Sequence, residues 1–227
     1  MKFSKQNIAL FIAILFHVCG AVGIIFSPYK NWFIQNTTLN LLIMVVMLIY
    51  TQPQKNSAFY IFAVAAFATG MLTEMIGINT GYLFGNYQYS NVMGYKLLGV
   101  PLLIGVQWFV TVFCCGIAIH KLHVWTEAKY AAKGMILSKK IQAISFVVDA
   151  ALLTTLFDFI MEPVAMELNF WQWQNNVVPF FNYACWFLIS AILLMLFRLM
   201  PIKKHNHFAI HLLIIQTLFF LVLRSYL

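Results

Sequence analysis

The sequence predicts an all-α integral membrane protein, a single bundle of about seven transmembrane helices with its N-terminus inside. Three observations carry this. Of 227 residues, 63% are hydrophobic and only 9% charged, against roughly half and a quarter in soluble domains. Seven apolar stretches fall at about 7–26, 36–51, 57–76, 98–119, 141–160, 177–199 and 207–225, most of them near the ~20 residues that cross a bilayer. Finally, eleven of the fourteen Lys and Arg residues fall on one side of that topology, leaving only Lys30, Lys96 and Arg224 on the other. Positive charge marks the cytoplasmic side. The same clustering makes the formal +8 charge a topology signal and argues against a nucleic-acid partner.

The first stretch, Ile8 to Ile25, follows Lys2 and Lys5 and has the polarity of a signal peptide, but it is long enough to span and lacks a clean small-x-small cleavage site. A retained first helix is expected. The second stretch is short and can begin nearer Trp32. The third is expected to end near residue 76, placing Glu74 in its last, outer turn. In the fifth, Asp158 lies near the outer end and Asp149 near mid-membrane. Pro163 is expected to stop that helix at Glu162, because the residue before proline disfavours helical geometry. The seventh holds no Lys, so a retinal Schiff base has no anchor. The whole chain, 1–227, reads as one transmembrane domain.

Two outer stretches are too apolar for plain linkers. Gly77 to Gly99 is rich in Gly, Asn and Tyr, and Glu162 to Pro179 carries Trp171 and Trp173. Irregular backbone at membrane depth is tolerated where it is buried in protein or lines a cavity. A belt of interfacial aromatics is the simpler alternative.

The four cysteines all lie inside apolar runs without C-x-x-C spacing, so neither a disulfide framework nor a zinc site is expected. His120 with His123, and His207 with His211, sit at cytoplasmic helix ends and read as interfacial polar residues, not as a metal site. No phosphate-binding glycine loop is present. The unusual chemistry is acidic: Glu74, Asp149, Asp158, Glu162 and Glu167, five of the six acidic residues, lie in or beside membrane segments. Ionisable groups there are costly and mark functional sites by default. Glu74, Asp158 and Glu162 are expected to converge on the outer side with Asn79, Asn182, Trp108 and Trp186. A desolvated carboxylic acid can protonate a weak base, and aromatic faces can stabilise the resulting cation.

Two blocks carry a family resemblance. EMIGINTGYLFGNYQYS at Glu74–Ser90, with LLGVPLLIGVQW at Leu97–Trp108, is similar to the pattern E-x-x-G-x-x-T-G-x-x-F-G-x-Y-x-Y followed by G-V-P and Trp. FDFIMEPVAMELNFWQW at Phe157–Trp173, with Pro179, Asn182 and Trp186, resembles D-x-x-x-D-P, W-x-W and P-x-x-N followed by Trp. Both patterns belong to the membrane family of carotenoid 1,2-hydratases, of the bisanhydrobacterioruberin hydratase and γ-carotene 1'-hydratase type. Glu162 stands where the family has Asp, and Cys185 where Gly is common, which bears on substrate choice. The resemblance implies addition of water across the C1–C2 double bond of an acyclic carotenoid end, without cofactor or metal. It implies a multi-pass protein of the cytoplasmic (inner) membrane, working among membrane lipid and other membrane enzymes of the pathway. Glu74 and Asp158 would form the acid–base pair in either order, with Glu162 supporting them. Asn79 and Asn182 would orient water. Tyr82, Phe84, Tyr87, Tyr89, Trp108, Trp171, Trp173 and Trp186 would grip the polyene end. A lycopene-cyclase-like enzyme and a non-catalytic carotenoid- or lipid-binding protein remain open alternatives. The heterodimeric cyclases' P-x-E-E or P-x-E-D motif is missing here.

Overall fold

The computed structural model describes residues 4–135 and 137–227; Lys2 of the basic N-terminal pair lies outside them. The helices are α1 (Lys5–Phe26), α2 (Lys30–Gln35), α3 (Thr37–Thr51), α4 (Ser57–Thr80), α5 (Leu102–Ala131), α6 (Lys139–Glu167), α7 (Phe180–Leu199) and α8 (His207–Tyr226). Four short strands join them: β1 (Tyr87–Tyr89), β2 (Lys96–Leu97), β3 (Val100–Pro101) and β4 (Trp171–Trp173). Counting the broken pair α2–α3 as one crossing, seven helical spans among the described residues are long and apolar enough to cross a membrane. The second span does begin near Trp32, with a break at Asn36.

Side-chain caps set several helix starts. Asn56, Ser138 and Asn206 each accept a hydrogen bond from a backbone N–H three residues on, satisfying a donor the helix leaves free. In the bundle, α5 is the central helix, packed against α3, α4, α6, α7 and α8. From Trp108 to Ile117 every residue of it is buried, as expected of a helix that is apolar all round. At about 45 Å it is longer than the ~30 Å hydrocarbon core, so its end carrying Lys121, Glu127 and Lys129 extends past the membrane.

Three expectations need correction. α6 does not stop at Glu162 but runs through Pro163 to Glu167. Proline there removes the bond to the carbonyl of Phe159 and crowds that carbonyl, and the close packing of α6 on α7 holds the turn against this cost. α4 runs on to Thr80, where Gly81 closes it in the left-handed region (φ 71°). Glu74 is therefore nearly two turns inside the helix end. Asp149 lies on the exposed side of α6 and pairs with His123 Nε2 of α5 at 2.7 Å. His123 lies 21 residues into α5, about 32 Å along it. The pair therefore sits at the inner interface rather than mid-membrane.

Close helix packing depends on glycine at one point that matters for the site. A Cβ on Gly70 would lie 2.4 Å from the Trp108 ring, and one on Gly105 2.7 Å from Met71 and Phe67. Gly70→Ala is expected to cost about 1–3 kcal/mol by overpacking and to displace Trp108. Thermal unfolding in detergent, with tryptophan fluorescence, measures both; an unchanged midpoint and spectrum would show that α4 and α5 can part there without cost.

Candidate acid site beneath a two-stranded lid

The two outer stretches meet as a small antiparallel sheet, not as loops. Tyr87 pairs with Trp173, Gln88 with Gln172 and Tyr89 with Trp171. Strand side chains alternate faces. The tyrosines and tryptophans therefore all turn into the bundle, while Gln88 and Gln172 stay exposed. Phe84 (φ 63°) and Gly85 (φ 124°) turn the chain into β1. Outside the ladder, Gln174 N donates to the carbonyl of Asn86 and Ser90 N to that of Phe170. The alternation Y-x-Y and W-x-W was the available sequence signal for these strands.

Each lid strand supplies donors to one carboxylate. Glu74 Oε2 accepts from the hydroxyls of Tyr87 (2.5 Å) and Tyr89 (2.8 Å). Its Oε1 accepts from Trp108 Nε1 at 3.0 Å. Glu162 Oε2 accepts from the indoles of Trp171 (2.9 Å) and Trp173 (2.7 Å). Burial, and after it the neighbouring Glu74, pushes the Tyr87 hydroxyl far above its ordinary range, so it stays a donor at any working pH. All three acids are at most 4% exposed.

Asp158 is different. Its Oδ2 accepts from Asn182 Nδ2 at 2.8 Å, while Oδ1 is buried without a partner among the described residues. Trp186 stacks on Trp108 with ring centres 3.8 Å apart and planes 2° from parallel. These groups enclose a cavity of about 20 Å³, room for about one water. Its walls include Glu74, Asp158, Glu162, Phe84, Asn182 and the aromatic residues of the lid.

Of the residues singled out in the sequence, Asn79 and Tyr82 lie elsewhere. Asn79 is exposed and donates to the carbonyls of Met75 and Leu98, tying the end of α4 to the following loop. Tyr82 is 80% exposed. Gln107 was missed: it lines the cavity and donates to Thr111 Oγ1 at 3.0 Å. Being one residue from Trp108, it was hidden by its ordinary amide character. No group of three or more metal-ligating side chains occurs among the described residues.

Two larger spaces adjoin the acid cavity. An open polar vestibule of about 720 Å³ lies over the lid, sharing Tyr87, Tyr89 and Trp173 with it. A mainly apolar chamber of about 70 Å³ shares Ile104, Gln107, Met161 and Trp171 with it. Carboxyl groups thus stand between a watery side and an oily side, an arrangement suited to joining water to a lipid.

Residues 35–226 match the family described as carotenoid biosynthesis protein. The chain is 25% identical over 200 residues to bisanhydrobacterioruberin hydratase of Haloarcula japonica, a match covering 82% of this chain. It spans 63% of that relative's length. No solved structure matches.

Proposed function

The chain belongs to the carotenoid biosynthesis protein family, and from that premise we propose that it is a carotenoid hydratase. It adds water across the C1–C2 double bond of an acyclic carotenoid end and leaves a tertiary alcohol. The observation that carries the reading is the unpartnered Oδ1 of Asp158 in a water-sized cavity. A buried carboxyl oxygen without a donor is suited to hold a proton. Glu74, ringed by three donors, and Glu162, held by two, suit the acceptor-only carboxylate form.

In this mechanism the small cavity holds the water and the isoprenoid end reaches Asp158 from the adjoining apolar chamber, past the shared Gln107 and Met161; Asp158 gives its proton to C2 and the alkene's electron pair forms the new C–H bond. The cation left at C1 is a tertiary one, faced by the stacked indoles of Trp108 and Trp186 and by the charge of Glu74. Water adds its oxygen to C1 and releases a proton to a carboxylate of the cluster. The sum is alkene plus water giving alcohol, with no electrons gained or lost, so the chemistry calls for no redox cofactor. Asn182 fixes the Asp158 carboxyl. The polar vestibule favours capture by water over capture by a neighbouring alkene, which would give a ring. The whole chain acts as one domain in the cytoplasmic membrane on a long-chain carotenoid.

The test is expression in bacteria making lycopene or γ-carotene, with oxygen-18 water and product analysis by LC–MS. A product heavier by one water and carrying the label is expected. An isomer of unchanged mass with a shortened chromophore would make the protein a cyclase. Unaltered carotenoid beside membrane-inserted protein would make it a binding protein.

A further inference from the structure

His120 follows Trp108 by twelve residues on α5, about 18 Å further along it, and opens on a separate cavity of about 120 Å³. That space holds several waters or one phosphate-sized group. His120 and Lys121 of α5, Lys204 and His205 of the α7–α8 turn, and His207 at the start of α8 line it. No carboxylate does. Asp149 is taken by His123, in the single ion pair among the described residues. The Lys204 ammonium donates instead to the carbonyl of Met200 at 3.0 Å and lies 5.2 Å from the centre of the Phe197 ring. Half-burial, and after it the Arg198 guanidinium, pulls that ammonium below its ordinary range. An anion among these groups would favour their charged forms.

The pocket is held in shape by its surroundings. Gln52 Nε2 donates to the carbonyl of Lys203 at 2.9 Å and Asn56 Nδ2 to that of Pro201 at 2.7 Å. The end of α3 and the start of α4 thereby fix the α7–α8 turn. Buried Asn206, also in the lining, spends its side chain on Leu48, Thr51, Gln52 and Ala209, which leaves the lysines and histidines to meet a ligand. The remaining walls are apolar: Ile117, Val124 and Ile210. Ile117 lies one turn deeper in the bilayer than Lys121, so cations stand over hydrocarbon, which suits an amphiphile. Three histidines invite a metal ion, but the two lysines beside them repel a cation, and no group of three or more metal-ligating side chains occurs among the described residues.

We propose that this pocket binds the phosphate of an anionic membrane lipid, with Lys121 and Lys204 pairing its charge and the histidines donating to its oxygens. Soluble phosphate offers the same oxygens and charge. Depth and lining favour the lipid. His120 lies 18 residues into α5, about 27 Å along it, where a hydrocarbon core of ~30 Å gives way to headgroups. Basic pockets between spans on the cytoplasmic side are suited to such headgroups. The site lies across the membrane from the acids and does not rest on the carotenoid reading, so either can fail alone.

The experiment offers the purified full chain in detergent an equal mixture of phosphatidylglycerol and phosphatidylcholine with the same tails, and reads the bound ratio by native mass spectrometry. Wild type is expected to hold phosphatidylglycerol about tenfold over phosphatidylcholine, the effect of two lysines near one extra negative charge. Lys121→Gln/Lys204→Gln is expected to bring the ratio near one. Lys121 is exposed, so Lys121→Gln alone, with a loss of about threefold, provides a second reading should the double variant fail to insert. Lys139→Gln/Lys140→Gln removes the same charge from the same side at exposed positions outside the pocket and is expected to keep the wild-type ratio. Equal holding of the two lipids by wild type overturns the inference. So does an equal loss in both double variants, since net charge at the membrane face would then explain the preference. A parallel arm adds inorganic phosphate and follows thermal unfolding. A midpoint raised by phosphate but by neither lipid would give the pocket to soluble phosphate and overturn the lipid.

Discussion

Asp158→Asn is expected to lower alcohol formation by about 10²–10⁴-fold, the usual worth of a positioned general acid, with little change in folding. Asn keeps the shape, and its amide oxygen can still accept from Asn182, which now donates to Asp158 at 2.8 Å. What is lost is an acid able to give a proton to carbon. Product yield per unit of membrane-inserted protein, by LC–MS, is the measurement. Wild-type yield would remove Asp158 from the mechanism and shift the acid role to Glu162, the other carboxyl of α6 in the cavity.

Glu74→Gln should fail in a different way. The Glu74 carboxyl oxygens are contacted by three donors and by no acceptor. A glutamine amide accepts through one oxygen only and turns its own donor towards Trp108 or the tyrosines. At least one buried donor then lacks a partner, a loss of about 1–3 kcal/mol. The variant is expected to lose turnover and also to unfold at lower temperature, with the lid tyrosines released. Thermal unfolding alongside product yield separates it from Asp158→Asn, which should lose yield alone. A Glu74→Gln protein as stable as wild type would mean that the lid does not depend on the carboxylate beneath it.

Much of the bundle was legible in the sequence because lipid enforces a simple rule: about twenty apolar residues per crossing, with positive charge inside. The acids at 74, 158 and 162 stood out for the same reason, being costly where they are. What escaped notice was local geometry. Pro163 signals a helix end, yet tertiary packing carries α6 past it. The strands β1 and β4 are three residues each, so the Y-x-Y and W-x-W alternation is too brief by itself to mark a strand, and they form through pairing with one another across 84 positions. Asn79 looked like a site residue because its neighbours in the motif are; its side chain instead ties two backbone carbonyls.

The pairing of each lid strand with its own acid has a consequence for how the protein is made. Tyr87 and Tyr89 follow Glu74 by 13 and 15 positions, and Trp171 and Trp173 follow Glu162 by 9 and 11. A carboxyl group entering the membrane during synthesis meets its donors from chain that emerges directly after it, long before the opposite half of the lid exists. Contacts this close in sequence form early because little chain must be closed to make them. Insertion can therefore proceed acid by acid, each sheltered by its own successor segment, and the reaction vessel is complete only when β4 arrives and pairs with β1.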